Sequence, residues 1–121
     1  VADLMNRVRA PFNVNTLALA AAEAALDDEE FLQQSYTLNQ QGMAQIIAGL
    51  DALNLEHIPS GGNFLTFRVG DAAAVNKRLL QQGVIVRPIA NYGMPEWLRV
   101  SIGLPAENAR FLDALALALK A

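Results

Sequence analysis

The sequence predicts an α/β protein, an α+β two-layer sandwich in which N-terminal helices are followed by a βαββα segment. Three observations predict it. Apolar residues recur at steps of three and four at Met43, Ile46, Ile47, Leu50 and Leu53, and at Ala72, Val75 and Leu79, the spacing of helix faces turned toward a core. Residues 63–69, 84–88 and 97–102 are rich in branched and aromatic side chains, as strands are. Glycine and proline mark the boundaries between these runs, at Pro59, Gly61, Gly62, Gly70, Gly83, Gly93 and Pro95. With 121 residues, 53% of them apolar, the chain is long enough to bury a sizeable core in one domain.

Taken in order, Pro11 breaks the opening segment, and Asn15 caps a short alanine-rich helix over residues 16–26 by accepting from an early helical N–H. Asp27 or Asp28 caps the next helix, where Asp28, Glu29 and Glu30 complement the positive end of the helix dipole. Its first half, residues 33–41, is polar all round and needs tertiary support, and Gly42 weakens it further. Its second half carries the apolar stripe. After the turn at residues 59–62 comes a strand over 63–69, ended by Gly70. Asp71 caps a helix through about Gln82, and Gly83 is its left-handed stop. A strand at 84–88, a loop at 89–96 and a strand at 97–102 follow, and Pro105 with Glu107 opens a final helix to about Leu119.

Composition excludes several classes. Nine Lys and Arg against twelve Asp and Glu give a net charge of −3, the wrong sign for a nucleic-acid surface. The absence of cysteine removes disulfides and thiolate chemistry and fits a cytoplasmic setting, and a single histidine, His57, makes a metal site a poor expectation. Arg7 and Arg9 precede an apolar run at residues 17–22, but the run is too short for a secretory signal. No stretch reaches the roughly 18 apolar residues of a membrane span. The chain opens at Val1 and runs almost at once into Arg9-Ala10-Pro11-Phe12-Asn13, which reads as the interior of a protein, so a fragment is expected.

The chemistry rests on two strand arginines. Period-two alternation puts Leu98, Val100 and Ile102 on one face and Trp97, Arg99 and Ser101 on the other, and likewise parts Val84 and Val86 from Ile85 and Arg87. Arg87 and Arg99 thus project from the side that helices leave open. A guanidinium fork held by a rigid strand pairs bidentately with phosphate or carboxylate. The alternative is that these arginines only solvate a sheet rim. Whether the two converge depends on strand order and register, which the sequence leaves open.

Other candidates read as structural. Lys77 lies opposite the Ala72, Val75 and Leu79 stripe and Lys120 is penultimate, so neither offers the pocket a Schiff-base lysine needs. His57 reads as a polar helix-end residue. Ser60-Gly61-Gly62-Asn63 leads into a strand and not a helix, and so is a turn and not a phosphate loop. Carboxylates cluster at helix starts, where capping explains them. No complete catalytic site is present.

Four segments in order, Arg9-Ala10-Pro11-Phe12-Asn13-Val14-Asn15, Pro59-Ser60-Gly61-Gly62-Asn63-Phe64, Gly83-Val84-Ile85-Val86-Arg87-Pro88, and Leu98-Arg99-Val100-Ser101-Ile102-Gly103 with Glu107-Asn108, resemble the C-terminal part of the histidinol-phosphate aminotransferase family. These are fold-type I pyridoxal-phosphate enzymes, and the resemblance covers essentially the whole chain. It implies the small domain of such an enzyme at residues 28–121, with residues 1–27 at the domain junction. It implies that Arg99 is the substrate-anion arginine and Arg87 a second arginine at the phosphate-bearing end of the substrate, with Asn63-Phe64 structural. The cofactor pyridoxal 5'-phosphate and the lysine that holds it belong, on this resemblance, to a large domain outside the chain. No catalytic or cofactor-binding residue and no bound cofactor are then expected in the chain itself, which alone would be inactive. The intact enzyme would be a cytoplasmic homodimer transferring an amino group between histidinol phosphate and 2-oxoglutarate. Gln41-Gly42-Met43 departs from the glycine-arginine expected there. Sister aminotransferases, threonine-phosphate decarboxylase and, from βαββα fold analogy, a free-standing amino-acid-sensing module are the other readings.

Overall fold

The computed structural model describes residues 1–9 and 12–120, so the break expected at Pro11 lies outside the described residues. The chain divides into two compact units, Val1–Gln34 and Ser35–Ala121.

In the first unit, α1 (Ala2–Val8) and α2 (Thr16–Leu26) bury no residue. Asn15 caps α2 as expected, its side-chain oxygen accepting from the Ala18 N–H at 2.8 Å. Of the two candidate caps for α3 (Glu29–Ala52), Asp28 serves, accepting from the Phe31 N–H at 2.9 Å. The boundary between units falls within α3.

The second unit holds the core and a four-stranded antiparallel sheet of order β1-β2-β4-β3, formed by β1 (His57–Ile58), β2 (Phe64–Arg68), β3 (Arg87–Pro88) and β4 (Trp97–Ser101). Leu65 and Phe67 of β2 and Leu98 and Val100 of β4 face the helices. There they join Ile46 and Leu50 of α3, Val75 and Leu79 of α4 (Ala72–Gln81), and Phe111 and Leu115 of α5 (Pro105–Lys120) in one buried cluster. Phe67 and Phe111 meet edge to face with ring centroids 5.7 Å apart. The two-layer α/β class stands.

Local chemistry sets the element ends. Asp71 accepts from the Ala74 N–H at 3.0 Å to start α4, and Gly83, at φ +73°, ends it: the Gly83 N–H donates to Leu80 O and the Val84 N–H to Leu79 O, satisfying carbonyls the helix leaves unpaired. At the start of α5, Glu107 reaches back to accept from the Leu104 N–H at 2.8 Å.

Four expectations change. The βαββα order gains a strand, β1, which pairs with β2 through His57 opposite Phe67 and Ile58 opposite Thr66. Two residues are too few to show a period. His57 therefore lies in a strand instead of ending a helix, although its Nε2 lies 3.2 Å from Asp51 Oδ1 near the end of α3. The strand expected at 84–88 pairs only at Arg87–Pro88; residues 84–86 keep the alternation, with Val86 buried and Ile85 exposed, but form no ladder. Gly42 is buried against the β4–α5 turn, where a Cβ would lie 2.5 Å from Ile102 Cγ2 and 2.8 Å from Asn108 Nδ2. Its role is close packing, bought at some loss of helix propensity.

Candidate functional site: an arginine pair on the open sheet face

The register answers the question of convergence. Arg87 is the direct antiparallel partner of Arg99, so both side chains leave the same face of adjacent strands. Across β4 the other partner of Arg99 is Thr66, which places Phe64, Thr66 and Arg68 of β2 on that face too, opposite Ser101, Arg99 and Trp97. Arg99 stands on an interior strand, so the rim reading does not apply to it; Arg87 stands on the edge strand.

Like charges directly opposed on a sheet repel, and a carboxylate placed beside an arginine offsets this. Arg68 has two: its Nη2 donates to Glu96 at 2.8 Å and its Nη1 to Glu56 at 3.4 Å. The hydrogen bond to Glu96, then that carboxylate's charge, raise the Arg68 pKa above its already high ordinary value. Arg87 and Arg99 have no such partner among the described residues. The Arg99 guanidinium instead lies over the Phe64 ring, its Cζ 4.7 Å from the centroid.

Between the two arginines opens a cavity of about 270 Å³ lined by Ile85, Val86, Arg87, Arg99, Val100 and Ser101. Two guanidinium groups bring up to ten N–H donors and no acceptor to this space, a set suited to phosphate or carboxylate oxygens. Lys77 is exposed on α4 and Lys120 closes α5, so neither lysine lines the cavity. Among the described residues no three His, Asp or Glu side chains are grouped to hold a metal, and no helix is long and apolar enough to cross a membrane.

Sequence reasoning nominated both arginines and missed what surrounds them. Phe64 was read as structural, and its place over Arg99 follows from a register that residue types do not reveal. Asn108, 2% exposed, is the buried polar residue of the core among the described residues. Its Oδ1 accepts from the Gly103 N–H at 2.9 Å and its Nδ2 donates to Gly103 O at 3.0 Å and to Gln45 Oε1 at 3.2 Å. It thus ties the end of the arginine-bearing strand to α3 and α5. The Glu107-Asn108 pair in the sequence was the only trace of it.

A helix-backed antiparallel sheet with this topology is the fold found in part of the fold-type I aminotransferases. Histidinol-phosphate aminotransferase from Sinorhizobium meliloti, solved in complex with pyridoxal-5'-phosphate, superimposes with a TM-score of 0.81 at 25% identity, over 98% of this chain and 34% of that one. The chain belongs to the aminotransferase class I and II family, whose model matches residues 1–115. It is 71% identical over 119 residues to histidinol-phosphate aminotransferase 1 of Dechloromonas aromatica, covering 98% of this chain and 33% of that protein. It is 64% identical over 121 residues to histidinol-phosphate aminotransferase 1 of Thiobacillus denitrificans, covering 100% and 32%. The chain therefore spans about a third of the length of these curated relatives. Family membership removes the ground for a free-standing sensor module, which rested on fold analogy alone.

Proposed function

We propose that this chain is the substrate-anion-binding small domain of a pyridoxal-phosphate-dependent histidinol-phosphate aminotransferase, with Arg99 and Arg87 as the residues that grip the substrate. Residues 28–121 form that domain and residues 1–27 the junction with a large domain. The single observation that carries the reading is the opposed, carboxylate-free arginine pair around one cavity, in a chain 71% identical to a protein of that name. The exposed apolar residues of the first unit, Leu4, Leu17, Leu26 and Phe31 among them, fit a surface covered by the rest of a protein about three times as long.

The described residues do not fit a covalent anchor for the cofactor, because no lysine lines the arginine cavity. The cofactor, which supplies the carbanion chemistry of amino transfer when bound, belongs in this reading to the large domain. The present residues bind and orient. Arg99 on its interior strand and Arg87 across the ladder take the phosphate of histidinol phosphate in one half-reaction and a carboxylate of 2-oxoglutarate or glutamate in the other. One fork serves both because phosphate and carboxylate present similar paired oxygens. Closure of the domain on its substrate excludes water and strengthens those bonds. The intact enzyme is a cytoplasmic homodimer.

The test is transamination by the full-length protein. Histidinol phosphate with 2-oxoglutarate gives glutamate, and Arg99→Ala raises KM for both substrates by about ten- to hundredfold, from a charged hydrogen bond worth about 1.5–3 kcal/mol. Absence of amino transfer from histidinol phosphate, or unchanged kinetics in Arg99→Ala, overturns the assignment.

A further inference from the structure

Among the described residues the Arg99 guanidinium has no hydrogen-bond or ion-pair partner, and it lies over the face of Phe64. A free arginine side chain samples many rotamers, and holding it in one orientation for an anion loses entropy at each binding event. Strand geometry alone does not prevent this, because the strand fixes Cα and Cβ and leaves four side-chain torsions free. Phe64 is placed to do so. It pairs with Ser101, two residues beyond Arg99 on β4, so it stands diagonally beside Arg99 on the same face, within reach of a long side chain. Phe64 is 37% exposed, while Phe67 on the opposite face of the same strand is fully buried. Phe64 contributes little to the core and leaves one ring face for the cation.

We infer that Phe64 is a positioning residue for the substrate anion: its ring holds the Arg99 guanidinium in plane so that the fork is set before the phosphate or carboxylate arrives. This rests on the proposed role of Arg99 and adds to it a residue that does not touch substrate. The stack needs a π face and not apolar bulk, which separates positioning from packing. Phe64→Leu keeps apolar volume and loses the ring quadrupole, and Phe64→Tyr keeps both.

The experiment measures steady-state kinetics of the full-length protein with histidinol phosphate for Phe64→Leu, Phe64→Met, Phe64→Tyr and Arg99→Ala, alongside their thermal unfolding. Phe64→Leu and Phe64→Met raise KM about two- to fivefold, the effect of losing a partly exposed cation–π contact, with the change in KM and not in kcat. Phe64→Tyr restores the original KM. Met serves where the Leu variant fails to fold. Equal KM in the aromatic and aliphatic variants, or a loss in Tyr matching that in Leu, overturns the inference. If Arg99→Ala also leaves KM unchanged, the fault lies in the role of Arg99; if Arg99→Ala raises KM and the aliphatic variants do not, it lies with Phe64 alone.

Discussion

Arg87 faces Arg99 across the β3–β4 ladder with no carboxylate on either among the described residues, while Arg68, on the same sheet face, is held by Glu96 and Glu56. Like charges so opposed repel, and in the proposed reading an arriving anion relieves that repulsion. Arg87→Gln removes the repulsion and should stabilise the protein against urea by about 0.2–1 kcal/mol, while weakening the apparent affinity for inorganic phosphate about tenfold. A variant that loses stability would show that the pair does not strain the fold, and one that binds phosphate as before would show that Arg87 does not hold the anion.

The Arg68 pairs behave differently with pH and salt. A raised folded-state pKa means that, on the arginine side, their contribution is fully present below the ordinary arginine value and is lost only as pH climbs through the still higher folded value, far above neutrality. From about pH 7 to 9 the stability difference between the protein and Arg68→Gln should therefore be flat. Both partners are substantially exposed, so that difference should shrink as salt is raised from about 0.05 to 1 M. Urea titrations over both ranges decide it, and a pH slope between 7 and 9 would assign the effect to another group.

What the sequence disclosed and what it hid divide along the range of the interactions involved. The Asn15 and Asp71 caps and the Gly83 stop depend on neighbours within five residues, and each was legible from side-chain chemistry. Arg87 and Arg99 were legible as open-face residues because alternation is also local. Their opposition was not, since it depends on how 87–88 and 97–101 align, and neither strand encodes that alone. The strand at 57–58 was hidden because two residues carry no period. Gly42 was misread for a related reason. Helix propensity is a property of the residue, whereas the nearness of Ile102 belongs to the folded chain.

Gly42 gives the corresponding prediction. Alanine is favoured over glycine inside a helix by about 1 kcal/mol, so propensity alone predicts that Gly42→Ala stabilises. A Cβ there, however, meets the branched Ile102 and the hydrogen-bonded Asn108, neither of which can yield easily. Overpacking outweighs propensity, and Gly42→Ala should destabilise by about 1–3 kcal/mol. Gly49 on the same helix is the control. Its Cβ would lie 2.4 Å from both Leu112 methyls and 2.9 Å from Leu112 Cγ, but Leu112 is only partly buried and its whole side chain can swing outward, so Gly49→Ala should cost less than Gly42→Ala. Urea unfolding of the two variants side by side separates them, and equal effects would reject the packing argument.

Asn108 sits where packing and function meet. Its side chain closes a ring with both backbone groups of Gly103, two residues past the end of β4, and also reaches Gln45 on α3. Asn108→Ala removes the partner of the Gly103 N–H and carbonyl and of the Gln45 amide oxygen, and because Gly103 and Gln45 are themselves only partly buried it should destabilise by about 1–3 kcal/mol in all. Asn108→Asp discriminates more sharply. A carboxylate can still accept from the Gly103 N–H, but it has no proton for Gly103 O or Gln45 Oε1 and faces both with negative charge. Its loss should therefore match or exceed that of alanine despite its near-identical shape. Because the turn it fixes follows the strand that carries Arg99, both variants should also release the amides of residues 102–104 to faster hydrogen exchange. Protection unchanged at Gly103 in either variant would mean that the turn is held by Glu107 and the backbone without Asn108.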